Sequence, residues 1–274
     1  MKHANSRVVK PVIIDAHCHL ADSRFLSSLN EVIERAHAAG IGKFIQGGVD
    51  PADWQRQLLL RKTMGTALVP VFGIHPWVIA GITTDVDGDN LAEAISLLRG
   101  LAAESAAIGE IGIDLGSERL VKQKQKQEEY FLKQLDLADE FRKPIVLHVV
   151  KAHNHVIRLL KQSGVNRRGI VHSFCGSVIE TKEYLALGLC LSVGSSILRK
   201  KDDYLHSLIE TIPEDRLVIE SDAPDQAPPD WSKKYNEPCS IWRVAEKVAS
   251  FRKNAAETVL KISSENLETI FDIR

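Results

Sequence analysis

Regular alternation between short apolar runs and longer amphipathic stretches is the feature that most restricts the fold of this chain. Eight runs rich in Val, Ile and Leu begin about 29 residues apart, and stretches with helical spacing of apolar residues separate them. Continuous apolar runs are typical of parallel strands that are covered on both faces, and parallel strands need helical connections. The predicted strands are 12–16, 42–48, 67–74, 107–113, 144–150, 169–174, 189–193 and 216–222.

Eight such units predict an α/β fold, a (β/α)8 TIM barrel with additional C-terminal helices between residues 240 and 271. The structural rival is an open doubly wound sheet, which usually has a glycine-rich phosphate-binding turn after its first strand. Here that turn reads HCHLADSR, residues 17–24. No linker rich in Ser, Gly or Pro divides the chain. Residues 1–274 are therefore expected to form one domain, with residues 1–10 as a poorly ordered N-terminal extension.

The composition is that of an ordinary globular chain of 274 residues, 44% hydrophobic and 26% charged. Its formal net charge is −1, from 35 basic and 36 acidic residues, so a polyanionic partner would need a local site. No segment approaches the roughly 20 apolar residues of a membrane span, and the N-terminus lacks the apolar run of a secretory signal. The four cysteines, Cys18, Cys175, Cys190 and Cys239, form no CxxC pair. Reduced thiols and a cytoplasmic location are expected.

Seven residues that can bind metal stand at or near the carboxyl ends of six predicted strands, where the active site of a barrel lies. A single histidine at a strand end is usually structural. In an HxH pair, however, alternate residues point to the same side of the strand. A carboxylate within a run as apolar as AIGEIGI is costly unless a cation compensates it. Imidazoles and carboxylates together suit Zn²⁺, Mg²⁺ or Mn²⁺. The seven are His17, His19, His75, Glu110, His148, His172 and Asp222.

Six motifs follow one another along the chain: IIDAHCHL, FGIHPW, IGEIGIDLG, PIVLHVVKAH, IVHSFCGS and VIESDAPD. In this order they resemble the motifs of the TatD-type metal-dependent hydrolases, the TatD deoxyribonuclease family within the amidohydrolase-like barrels. The resemblance extends from about residue 12 to 271, and six motifs in a fixed order are far more specific than one HxH.

The resemblance implies a site for two divalent metal ions per chain, bridged by Glu110. The other ligands implied are, for the first ion, His17, His19 and Asp222 and, for the second, His148 and His172. His75 would contact the phosphate of the substrate without being a primary ligand. Asp222 would orient the attacking hydroxide and accept its proton.

The segment after the fifth predicted strand departs from the family pattern. Many members carry Ser-Arg after the histidine of this strand, where this chain has Val149 and Val150, with Lys151 next and His153 beyond the turn. The basic charge near the substrate must then come from other residues. The residues expected to bind the substrate are His75, Lys151, His153, Lys200 and Lys201.

These features predict a metal-dependent hydrolase that removes nucleotides from DNA ends, with a hydroxide activated by two divalent ions. A lactonase or amidase with the same metal site is an alternative, because the same hydroxide can attack a carbonyl. A metal-binding or scaffold protein without turnover is another, although the complete ligand set argues against it. DNA is the predicted partner; no membrane association or obligate protein partner is expected. The native metal, strand preference, cleavage polarity and oligomeric state are left open.

Overall fold

The computed structural model describes residues 12–82, 90–164 and 167–273, so the predicted N-terminal extension lies outside the described residues. Within them the chain forms nine β-strands, all paired in parallel. These are β1 (Ile13–Cys18), β2 (Ile41–Gln46), β3 (Leu68–Val69), β4 (Val71–Phe72), β5 (Ala107–Asp114), β6 (Ile145–Val150), β7 (Gly169–Val171), β8 (Cys190–Val193) and β9 (Leu217–Ile219).

The predicted third strand, 67–74, is divided into β3 and β4 at Pro70. β3 pairs with β2, whereas β4 pairs with β5, so the pairing changes at the proline. Proline has no N–H to donate to a strand ladder, which explains the interruption. The strands otherwise follow one another around the sheet in chain order.

The barrel closes where the ends of β1 and β9 meet. The Asp222 amide donates to the His17 carbonyl at 2.9 Å, and the His19 amide donates to the Ala223 carbonyl at 2.7 Å. With β3 and β4 counted as one interrupted strand, eight parallel strands surround one axis. The predicted (β/α)8 barrel is confirmed.

Eleven α-helices occur in the described residues, most of them between consecutive strands. They are α1 (Leu29–Ala38), α2 (Pro51–Met64), α3 (Pro76–Ile79), α4 (Leu91–Leu101), α5 (Glu118–Lys122), α6 (Lys124–Glu140), α7 (His153–Ser163), α8 (Val178–Ala186), α9 (Asp202–Thr211), α10 (Ile241–Arg252) and α11 (Ala256–Phe271). The short helix α5 and the long helix α6 meet at Gln123. The Gln127 side chain of α6 donates to the Leu120 carbonyl at 2.9 Å, which satisfies one of the last carbonyls of α5.

The C-terminal helix α11 packs against the end of the barrel at which the strands begin. Its Leu267, Ile270 and Phe271 belong to an apolar cluster inside the barrel, with Ile14, Ala16, Ile45, Val69, Val71, Ala107, Val146, Ile170, Cys190 and Val218. A larger apolar cluster lies between the strands and the helices around them. The inner apolar residues precede the polar residues of the same strands. The carboxyl end of the barrel is therefore left to the polar side chains.

In the part of the chain that the structure describes, no helix has the length and apolar character needed to cross a membrane. All four cysteines lie in this part and are free thiols.

Candidate metal centre

A β-bulge near the end of β1 turns His17 and His19 toward the barrel axis. Between Asp15 and Cys18, β1 advances three residues while β2 advances two. The extra residue reverses the alternation of the strand, as bulges next to active sites commonly do. Cys18 consequently packs in the outer apolar cluster. The Nε2 atoms of His17 and His19 lie 3.3 Å apart.

Four donor atoms, which we call the first donor set, come together around this histidine pair. His17 Nε2 and His19 Nε2 each lie 3.4 Å from Glu110 Oε1. The same two nitrogens lie 3.7 Å and 3.6 Å from Asp222 Oδ1. Gln226 donates to the other oxygen of Asp222, Oδ2, which helps to hold the carboxylate in this orientation.

Three donor atoms form a second donor set on the other side of Glu110. His148 Nδ1 lies 3.4 Å from Glu110 Oε2, and His172 Nε2 lies 3.0 Å from the same oxygen. The two nitrogens are 3.1 Å apart. The two oxygens of the Glu110 carboxylate therefore face different donor sets.

Both donor sets have dimensions that fit divalent cations. Two ligand atoms about 2.1 Å from a common ion are roughly 3–3.5 Å apart, close to the spacings in both sets. Glu110 Oε1 is buried and has no hydrogen-bond partner among the described residues, which is unfavourable for a carboxylate oxygen unless a cation is bound. Imidazole nitrogens and carboxylate oxygens are the donors that zinc, and to a lesser extent manganese and magnesium, accept.

Gly47, directly after β2, leaves the space in which the first donor set meets. A Cβ atom at this position would lie 2.4 Å from His19 Cε1 and 2.7 Å from both Glu110 Oε1 and His17 Cε1. These distances are far inside van der Waals contact. Any side chain at residue 47 would therefore displace the ligand candidates.

The electrostatics of the site favour bound positive charge. Burial raises the pKa of the Glu110 carboxyl, but the adjacent imidazoles of His17 and His172 outweigh it and hold this pKa well below its usual range. Burial opposes protonation of His172, yet the charges of Glu110 and Glu220 raise its pKa well above the usual value. The buried carboxylates of the site require a positive charge close by, which protonated imidazoles or metal ions can provide.

His75 lies at the edge of the second donor set. Its Nε2 is 3.9 Å from Glu110 Oε2, and its Nδ1 accepts a 3.1 Å hydrogen bond from the Trp77 amide at the start of α3. Burial and the neighbouring charge of His148 lower the pKa of His75 well below its usual value. The imidazole is therefore neutral and has one nitrogen directed to the centre of the site.

The four other residues predicted to bind the substrate lie outside both donor sets. Lys151 directly follows β6 and is exposed, and Lys200 and Lys201 are exposed just before α9. His153 begins α7, with Nδ1 3.1 Å from the Tyr184 hydroxyl and its ring centroid 5.4 Å from that of Phe174. Its imidazole is thus engaged by packing residues, whereas the three lysines are available to a ligand from solvent.

Two buried carboxylates beside the site were not predicted from the sequence. Asp114 Oδ2 lies 3.2 Å from His148 Nε2, and Glu220 Oε1 lies 3.4 Å from His172 Nδ1. Both belong to the recognised motifs, IGEIGIDLG and VIESDAPD. The sequence signal that could have identified them is the presence of acidic residues within otherwise apolar strand runs.

The parallel barrel, with histidines and carboxylates gathered at the carboxyl ends of its strands, defines the class of amidohydrolase-like metal-dependent hydrolases. Residues 14–272 match the family model described as TatD related DNase. The chain belongs to the TatD family of metal-dependent hydrolases.

Individual proteins show the same relationship over nearly full length. The uncharacterized metal-dependent hydrolase YabD of Bacillus subtilis is 31% identical over 266 residues, which cover 96% of this chain and 100% of the relative. The 3'-5' ssDNA/RNA exonuclease TatD of Pantoea vagans is 29% identical, with 94% and 99% covered. The crystal structure of the TatD homologue YJJV from Escherichia coli has 28% identity and a TM-score of 0.84, with 95% and 98% covered.

Proposed function

We propose that this protein hydrolyses phosphodiester bonds of DNA from the chain end, at a site that holds two divalent ions. The observation that carries the proposal is the division of the Glu110 carboxylate, with Oε1 facing one donor set and Oε2 the other. A bridging carboxylate between two histidine groups is the arrangement expected of a two-ion hydrolase. The similarity to a relative named as an exonuclease supports nucleic acid as the substrate.

In this proposal His17, His19, Asp222 and Glu110 would hold the first ion, and Glu110, His148 and His172 would hold the second. The ions would be Zn²⁺, Mg²⁺ or Mn²⁺. When bound, they would supply Lewis-acid stabilisation of the phosphodiester charge and would lower the pKa of a water molecule at the site.

The roles of the protein side chains follow from their positions. Asp222 orients the attacking water and accepts its proton at a carboxylate oxygen, while Gln226 holds the Asp222 carboxylate in place. His75, neutral and directed inward, contacts a phosphate oxygen. The bond between phosphorus and the oxygen of the departing nucleoside breaks, and that oxygen takes up the proton accepted by Asp222 and leaves as a hydroxyl.

The rim of the barrel supplies the remaining substrate contacts. Lys151, Lys200 and Lys201 are exposed there, and phosphate contacts from lysines position a strand without reading its sequence. Trp77 is 44% exposed, and the centroid of its ring lies 5.1 Å from the centroid of the His75 ring. An exposed indole beside the site can stack on a base.

We further propose that residues 1–274 act as one domain and that the protein works in the cytoplasm.

An assay on metal-reconstituted protein tests the proposal. Chelator-treated protein is loaded separately with Zn²⁺, Mg²⁺ or Mn²⁺ and offered 5'- and 3'-end-labelled single- and double-stranded DNA, single-stranded RNA, and a panel of lactones and amides. We expect stepwise release of nucleotides from DNA, only in the presence of an ion. Asp222→Asn should abolish this release. Asp225→Asn, three residues further on and outside both donor sets, should retain it.

Two results would contradict the proposal. Turnover of a lactone or amide far above that of DNA would make the protein a small-molecule hydrolase. Stable binding of two ions without turnover of any of these substrates would identify a metal-binding or scaffold protein.

A further inference from the structure

Each histidine of the second donor set has a second carboxylate on the side away from Glu110. His148 directs Nδ1 at Glu110 Oε2 and Nε2 at Asp114 Oδ2, at 3.4 Å and 3.2 Å. His172 is placed the other way round, with Nε2 3.0 Å from Glu110 Oε2 and Nδ1 3.4 Å from Glu220 Oε1. The two imidazoles thus use opposite nitrogens toward the same oxygen of Glu110.

The Asp114 carboxylate is fixed by its own partners. The Gly116 amide donates to Oδ1 at 2.6 Å, and the Trp77 indole N–H donates to Oδ2 at 2.7 Å. The side chain is 3% exposed. Asp114 therefore keeps one orientation toward His148.

The Glu220 carboxylate is fixed in a similar way. The Ser173 amide donates to Oε1 at 2.6 Å, and the Ser192 hydroxyl donates to Oε2. Glu220 is fully buried, and its Oε1 is 3.4 Å from His172 Nδ1, a buried nitrogen without a hydrogen-bond partner among the described residues. His148 Nε2, in contrast, is hydrogen-bonded to Asp114 Oδ2 at 3.2 Å. Neither carboxylate belongs to a donor set, so each can accept a hydrogen bond from the histidine beside it.

An imidazole that binds a metal ion must present a nitrogen without a proton, and its proton then resides on the other nitrogen. A carboxylate that accepts this proton selects the tautomer and fixes the plane of the ring. With different nitrogens facing Glu110, the two histidines need opposite tautomers. A separate acceptor behind each ring meets this requirement.

We propose that Asp114 and Glu220 are positioning residues that hold opposite tautomers, so that His148 presents Nδ1 and His172 presents Nε2 to the second ion. This inference rests on the two-ion site proposed above. It predicts that the two carboxylates govern affinity for the second ion and leave the first ion unaffected.

The tautomers can be read directly in the unaltered protein. Protein labelled with ¹⁵N-histidine and loaded with Zn²⁺ is examined by long-range ¹H–¹⁵N NMR. We expect the proton of His148 on Nε2 and that of His172 on Nδ1. The same tautomer in both histidines, or the reverse assignment, overturns the proposal.

Zn²⁺ titration of variants provides a second measurement that does not depend on catalysis. Asp114→Asn and Glu220→Gln should each weaken the second equivalent of Zn²⁺ by roughly 10–100-fold and leave the first unchanged. The matched control is Glu237→Gln. Glu237 is also a buried carboxylate, but it pairs with Arg35 at 2.7 Å and should not affect either equivalent.

If Glu220→Gln does not fold, Ser192→Ala, which removes only one support of the carboxylate, should show a smaller loss in the same direction. Folded Asp114→Asn and Glu220→Gln proteins that bind both equivalents like the parent overturn the inference while the two-ion site stands. A parent protein that takes up no second ion overturns both.

Discussion

Glu110 is the residue on which the two-ion proposal depends most strongly, because its two carboxylate oxygens belong to different donor sets. Its carboxylate lies in β5 and is 2% exposed. A side chain in this environment is held by its neighbours and has little freedom to replace a lost contact. Its substitution should therefore affect both sets at once.

Glu110→Gln should remove more metal and more activity than loss of either histidine of the second donor set. The glutamine side chain keeps one acceptor oxygen and has an NH₂ donor in place of the other. This donor would face histidine nitrogens that themselves need a cation or a proton, so one donor set would lose its carboxylate oxygen. Metal content by elemental analysis and DNA turnover should be compared with those of His148→Ala and His172→Ala. Near-parental activity in Glu110→Gln would mean that the two-metal mechanism is not used.

The close packing of side chains around Gly47 leads to a steric prediction for this residue. Gly47→Ala places a methyl group where His17, His19 and Glu110 meet, so the first equivalent of metal should be lost or greatly weakened. Gly100→Ala is the matched control, since a Cβ at this helical position meets no atom within 4 Å. Zn²⁺ titration of the two folded variants decides the matter. Unchanged affinity in Gly47→Ala would show that the ions bind elsewhere.

At the scale of structural elements, the segments after the strands determine how a strand of DNA can reach the metal centre. Val149 is buried in the outer core and Lys151 is exposed beyond β6, so no guanidinium follows His148 in this segment. A lysine is a flexible point charge and does not reproduce the bidentate contact of an arginine. DNA binding should therefore be weak and should decrease with added salt.

The Lys200→Ala, Lys201→Ala variant should raise KM for DNA and leave the metal content unchanged. Both side chains are exposed in the segment between β8 and α9, on the face of the barrel where the donor sets lie. A double variant of exposed lysines in α2 and α11, Lys62→Ala with Lys261→Ala, serves as the control for loss of charge. Steady-state kinetics at two salt concentrations provide the measurement. Parental KM in the first variant would make these lysines ordinary surface residues.

At the scale of the whole molecule, ion binding should stabilise the fold, because both donor sets join distant parts of the barrel. An ion that binds only the folded state at about 100 times its Kd contributes roughly 2.7 kcal/mol. For a chain of this size, the expected increase in Tm is roughly 5–10 °C.

This increase can be measured by thermal unfolding of chelator-treated protein with and without Zn²⁺. Glu110→Gln should show a smaller increase than Glu237→Gln, because only the former lacks a ligand. An identical Tm for chelated and Zn²⁺-loaded parent protein would argue against a site built across the barrel.

Sequence alone determined the features that depend on local pattern. The apolar runs and the helical spacing between them predicted the barrel, because parallel strands and their crossovers follow from the hydrophobic period. The candidate ligand types were also evident from the sequence, since His, Asp and Glu at strand ends converge in any barrel of this kind.

Tertiary structure decided the orientation of these groups. Strict alternation from Ile14 and Ala16 would have turned Cys18 inward, and only the bulge against β2 directs His17 to the axis. The division of the Glu110 oxygens, and the placement of Asp114 and Glu220 behind their histidines, depend on packing between strands far apart in the chain. Periodicity specifies the face on which a residue lies. The nitrogen or oxygen that it presents is specified only by the neighbours brought against it by folding.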